Sequence, residues 1–192
     1  MAPANHIGAH AVRVGETHDR LDRHRRHRRG HCEGERRNEA PQSQKPYELR
    51  RTVGYVMQHP ERQLFADTVA EDVAYGPSNL GLDTSEAMER AMQAMRLLHI
   101  EHLRDRSPFD LSGGQQRLVA IAGVIACEPK ALILDEPTAG LDEEAAARVH
   151  GLIHELKSRG VTILLISHSQ DEVDELADRT IILGKPAKRA DS

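Results

Sequence analysis

The sequence predicts an α/β fold, a parallel sheet covered by helices, and three features carry that reading. Two short, largely apolar runs, ALILD at 131–135 and VTILLIS at 161–167, read as strands buried on both faces. A helix-length stretch at 143–158, closing at Gly160, separates them, so the two strands are joined by a crossover and pair in parallel. Polar residues gather where these strands end: Asp135, Glu136 and His168 all fall at the carboxyl edge, where open sheets of this class place their chemistry.

The remaining elements follow in order. TVGYVMQ (52–58) is β-rich and runs into HPERQ, a turn-forming stretch. Asp83 or Thr84 caps a helix whose Met88, Ala91, Met92, Met95 and Leu98 recur at helical spacing. Ser112 precedes a second helix, about 114–127, stopped before Pro129. After the strand at 161–167 come a short acidic helix (170–177) and a last strand, TIIL at 180–183. No internal repeat is present.

Composition sets the outer limits. A chain of 192 residues fits one domain with a tail, though 39% hydrophobic and 3% aromatic content is lean for a compact core. The net charge of -4 conceals an asymmetry. Residues 1–46 hold ten basic and six acidic side chains, whereas the rest hold sixteen and twenty-four. Two cysteines, Cys32 and Cys127, make no framework, and a reducing cytosol is the expected setting. No run approaches the roughly 18 apolar residues of a membrane span, so the chain is expected to be soluble and to meet a membrane only through a partner.

The stretch ILDEPTAGLD (133–142) carries the most chemistry. A buried strand ending in adjacent carboxylates lets Asp135 hold Mg²⁺ while Glu136 orients or deprotonates a water. The plainer alternative is a solvated acidic turn. In LSGGQQR (111–117) a serine and two glycines open a helix, leaving backbone N–H groups free beside the positive end of the helix dipole. That arrangement suits an anion, and it equally suits an ordinary serine cap. Gln58 and His168, each at a strand end, are weak signals taken singly.

Together and in this order, VMQ, LSGGQQ, ILDEPTAGLD and ISHS resemble the ATPase subunits of ABC transporters, with their Q-loop, signature motif, Walker B with D-loop, and H-loop. The resemblance covers about 48–184 and implies a P-loop-NTPase-like parallel sheet with a helical subdomain at about 60–128. QHPERQLFADTVAEDVAYGPSNLGL (58–82) is similar, more narrowly, to the energy-coupling-factor and cobalt-type importers, which take up vitamins or transition-metal ions. The resemblance implies ATP and Mg²⁺ as ligands. Asp135 and Gln58 would serve the metal, Glu136 would be the general base, and His168 would contact the γ-phosphate. Ser112, Gly113, Gly114 and Gln115 would reach ATP held by an opposite subunit, and Asp142 would span that interface. The implied partners are a second ABC ATPase subunit and a membrane coupling subunit at the cytoplasmic face, with no nucleic acid. Glu71 and Asp72 would meet basic residues of the coupling helix, and Leu64 and Phe65 its apolar side. The plainer alternative is that Leu64, Phe65 and Val69 only close a small helical core.

One element is missing. The sequence contains no G-x-x-x-x-G-K-[ST], the loop whose amides and lysine cradle the β- and γ-phosphates. The Arg/His-rich run RLDRHRRHRRGHCEGERR (20–37) occupies its expected place. A nucleic-acid arm, a metal site at His24, His27, His31 and Cys32, and a nucleotide-free regulatory subunit are alternative accounts of it. The compositional break favours residues 1–46 as a segment foreign to the fold, the product of a shifted reading frame or misplaced start. The ATPase domain then spans 47–184 without its P-loop strand and helix. Residues 185–192 form a tail, with no C-terminal regulatory region expected.

Overall fold

The computed structural model describes residues 51–183. The expectations for 1–46 and 185–192 lie outside the described residues. The strands are β1 (Val53–Val56), β2 (Ala131–Asp135) and β3 (Thr162–Ile166). The helices are α1 (Val69–Asn79), α2 (Thr84–Leu97), α3 (Gly113–Ile125), α4 (Glu143–Ser158) and α5 (Gln170–Leu176). The sheet runs β1-β2-β3, parallel throughout, with Ile133 opposite Tyr55 on one side and Leu164 on the other.

Because the strands stand in chain order, right-handed crossovers put both connections on the same face. Leu132, Leu134, Ile163 and Leu165, each 3% exposed or less, point into that face. There α3 packs on β1 and α4 on β3. Ile133, Leu164 and Ile166 alternate with them and stay half-buried. The expectation of strands buried on both faces is therefore corrected. The runs are largely apolar, but the described helices cover one side.

A second correction concerns 180–183. These residues are extended but form no ladder, and Ile181, Ile182 and Leu183 are 38%, 67% and 51% exposed. β-propensity alone does not make a strand; its N–H and C=O groups need a neighbour, and β3 pairs only with β2 among the described residues.

The sequence reading also passed over α1. Its start is written in Thr68-Val-Ala-Glu71, a reciprocal capping box: Glu71 N donates to Thr68 Oγ1 (3.3 Å) and Thr68 N donates to Glu71 Oε2 (3.1 Å). Thr68 thus opens a helix that survives even Pro77 near its end. This helix lies close on α3. A Cβ added at Gly76 would stand 2.6 Å from Cys127 Sγ and 3.3 Å from the Gly123 carbonyl. Alanine in a helix gains about 1 kcal/mol over glycine, whereas overpacking costs about 1–3 kcal/mol. Gly76→Ala is therefore expected to lower the urea midpoint, and adding Cys127→Ala to recover most of the loss. A single variant as stable as the parent would show that the two helices separate easily.

Candidate active-site edge

The carboxyl edge of the sheet is built on an unusual backbone. Glu136, just past β2, has φ +50°, a left-handed conformation that side chains rarely adopt. Its N–H donates to Ile166 O at 2.9 Å, fixing this turn to the end of β3. The carboxylate is largely buried, and Oε1 lies 3.3 Å from His168 Nε2. Among the described residues no donor reaches Oε1 in hydrogen-bonding geometry. Next to it, Asp135 Oδ2 accepts from Tyr55 Oη at 3.2 Å. Desolvation, and then the neighbouring Asp135 charge, push the Tyr55 phenol above its ordinary value, so the hydroxyl keeps its proton as the donor.

The second part of the edge is the start of α3. Ser112 is its N-cap, accepting from Gln115 N (3.3 Å), while Gln115 Oε1 accepts from Ser112 N (3.1 Å). The sequence S-G-G-Q is thus a capping box, and the Gln115 amide oxygen is committed to it. Gly113 has open space where a Cβ would be, and one at Gly114 would lie 3.5 Å from Leu141 Cδ2. The exposed N-terminus of α3 therefore stands beside the loop 136–142, with first-turn amides and the helix dipole presented outward.

That loop is held from several sides. Asp142 caps α4 by accepting from Ala145 N at 2.8 Å. Thr138 Oγ1 donates to Glu172 Oε1 (2.9 Å), and Glu172, 4% exposed on α5, lies 3.5 Å from His150 Nε2 on α4. Beneath the loop, Arg117 is 7% exposed and donates to the backbone carbonyls of Gln58, Ala139 and Glu136.

The structure thus joins Glu136 with His168 directly and Gln58 with Glu136 through Arg117. It places Ser112–Gly114 beside the same loop and leaves the Gln58 side chain exposed. Asp135 spends one oxygen on Tyr55, and the hard oxygens of Asp135 and Gln58 match what Mg²⁺ takes. The buried, donorless Glu136 Oε1 fits a group waiting for a proton. For a nucleotide the fit is partial, since the α3 N-terminus can meet phosphate but the sequence supplies no phosphate-cradling loop. Sequence reasoning missed Tyr55, Arg117, Thr138 and Glu172. For Arg117 a signal existed: it stands four and eight residues before the buried Ile121 and Ile125, a charge on the core stripe of a helix.

A parallel sheet with carboxylates at its carboxyl edge and a glycine-opened helix beside them defines the ATPase cassette class of P-loop-type folds. Residues 21–139 match the ABC transporter family, and the chain belongs to that family. The match begins within the Arg/His-rich stretch. An ABC transporter ATP-binding protein of Bifidobacterium longum is 65% identical over 134 residues, which is 70% of this chain and 17% of that protein. The energy-coupling factor transporter ATP-binding protein EcfA2 of Clostridium perfringens is 48% identical over 152 residues, 76% of this chain and 52% of its own. The chain therefore spans about half the length of the energy-coupling relatives it matches. Among solved structures, cbiO1 of Clostridium perfringens, part of the ABC transporter complex cbiONQ, is 40% identical with TM-score 0.62, covering 71% of this chain and 58% of that one. The dimeric cassette MJ0796 in a post-hydrolysis state shares the fold at TM-score 0.64 and 23% identity, covering 77% and 70% of the two chains.

Proposed function

We propose that this chain is the signature-bearing part of an ATP-binding subunit in an energy-coupling-factor-type importer of a vitamin or transition-metal ion, and that it acts by completing the ATP site of a paired subunit. The observation that carries this reading is a contrast within one sequence. The LSGGQ helix start is fully built and faces outward, while no G-x-x-x-x-G-K-[ST] accompanies it.

Each residue's task follows from its setting. Ser112, Gly113 and Gly114 offer a hydroxyl and first-turn amides to the γ-phosphate of ATP on the opposite subunit. Asp142 and Leu141 line the same contact. On this chain's own edge, Asp135 and Gln58 would hold Mg²⁺, which when bound supplies charge neutralisation at the phosphates. Glu136 accepts a water proton, and His168 orients that carboxylate from 3.3 Å while facing the phosphate position. Hydrolysis on this chain's own edge needs a phosphate cradle that the sequence does not supply, so the expected phosphate release is that of the pair. A purely regulatory subunit that lends LSGGQ without transport is the second reading, favoured by the same absence.

The membrane partner is read from a groove of about 400 Å³ between the stretch after Gln58, α1 and α3. Phe65 and Tyr75 meet edge-to-face at its mouth, centroids 4.6 Å apart, and both are more than half exposed. Asp72 holds the loop by accepting from Phe65 N (2.8 Å) and Ala66 N (2.9 Å). Such a groove fits a coupling helix with an apolar side and basic flanks. No helix among the described residues is long and apolar enough to cross a membrane, in keeping with peripheral attachment at the cytoplasmic face.

The test is to mix the chain with an intact energy-coupling ATPase subunit and follow association by sedimentation and phosphate release by a coupled assay. Association that needs Mg-ATP, with phosphate released only by the mixture, is the expected result. Phosphate release by this chain alone, or no association at saturating Mg-ATP, would overturn it.

A further inference from the structure

Arg117 has an uncommon position for an arginine. It is 7% exposed on α3, and the three acceptors it reaches are all backbone carbonyls, those of Gln58, Glu136 and Ala139. Among the described residues no carboxylate pairs with it in hydrogen-bonding geometry, and its buried Nε meets no partner. Burying a guanidinium this way costs free energy that neutral carbonyls offset only when several converge on it. The carbonyls come from two separate segments: the stretch just after β1, and the loop 136–142 that follows β2.

We propose that Arg117 is a positioning residue that locks the signature helix to the catalytic edge of the same chain. One planar, multi-donor cation on α3 fixes the backbone on either side of the Gln58 and Glu136 side chains. The α3 N-terminus, five residues earlier at Ser112, is the exposed part that the proposed function turns toward another subunit. A shift of α3 on engagement is therefore passed to Gln58 O and Glu136 O through a single side chain. Lysine cannot substitute, because one ammonium cannot reach three diverging carbonyls with fixed geometry.

This role rests on the proposed ATPase reading, but its test does not need ATP. The full 192-residue chain is compared with Arg117→Lys and Arg117→Met by amide hydrogen exchange. The reporters are Ala139 N, bonded to Glu136 O (3.2 Å), Leu141 N, bonded to Thr138 O (3.0 Å), and Arg62 N, bonded to His59 O (3.3 Å). Exchange at all three is expected to rise by about tenfold in the Met variant, because carbonyls deprived of their donor leave the edge free to open. The Lys variant should restore one segment and leave the other fast. Amides within α4 should change by less than about twofold in both variants, since α4 does not bear on the guanidinium. A uniform rise across α3, β2 and α4 would show that Arg117 merely supports the core. Full protection in the Lys variant would show that one charge suffices, and unchanged exchange in both would dismiss the coupling. Any of these results stands whether or not the chain later proves to pair with an ATPase subunit.

Discussion

Gly113→Asp is expected to leave the fold intact and to abolish phosphate release by the mixture of this chain with an intact ATPase subunit. The two halves of that result come from opposite effects of one charge. Gly113 is the first residue of α3, exposed, with nothing within 4 Å of where a Cβ would be. An aspartate there sits at the positive helix end and gains about 0.3–1 kcal/mol from the dipole. It also replaces a glycine, a poor helix former. The melting temperature should therefore hold or rise. Toward a γ-phosphate the same carboxylate is repulsive, by about 4 kcal/mol at a separation of about 4 Å and an effective dielectric of about 20. That corresponds to a loss of roughly 10³-fold. Gly113→Asn, nearly isosteric and uncharged, should lose far less. If the aspartate chain supports phosphate release as well as its parent, this helix start does not face the nucleotide.

The largest effect on stability is expected at Leu134. It is 1% exposed in β2, the middle strand, and points into the covered face with Leu132 and Leu165. Truncation to alanine removes buried methyl groups and leaves a cavity, at a cost of about 2–5 kcal/mol. Against a total of about 5–15 kcal/mol for ordinary domains, that is a large fraction. The neighbouring Ile133 serves as an internal control. It lies on the same strand but faces the half-covered side, so Ile133→Ala should cost less than half as much. Urea titration of both variants reads the difference. Equal costs would mean that the second face is as well packed as the first, against the burial pattern seen along β2 and β3.

How far the sequence announced these features depends on the kind of interaction involved. The helix at 143–158 was legible to the residue because its ends carry local chemistry, Asp142 as cap and Gly160 beyond the last turn with φ +82°. Asp135, Glu136 and His168 were legible because apolar runs end at them. Residues 180–183 misled because the requirement for a ladder neighbour is not written in a strand's own side chains. The alternating burial of β2 and β3 was hidden for a related reason: both faces are apolar, and only the single-sided crossovers decide which is covered. The burial of Arg117 was signalled by its place on the core stripe of α3, but its partners were not, because they are carbonyls, which every residue has. The Thr138–Glu172 pair, 34 positions apart, could be found only once α5 was folded against the loop after β2.

Glu136 also sets a bound on how robust this chain can become. Its left-handed backbone carries strain of about 1–3 kcal/mol, and its buried Oε1 lacks a donor. A glycine at 136 would relieve both at once and yield a hardier protein without the carboxylate proposed to accept the proton. Selection for thermal endurance and selection for chemistry thus pull on the same residue in opposite directions. A hardened variant that keeps its chemistry must draw its gains from elsewhere, from the helix caps and the covered face of the sheet.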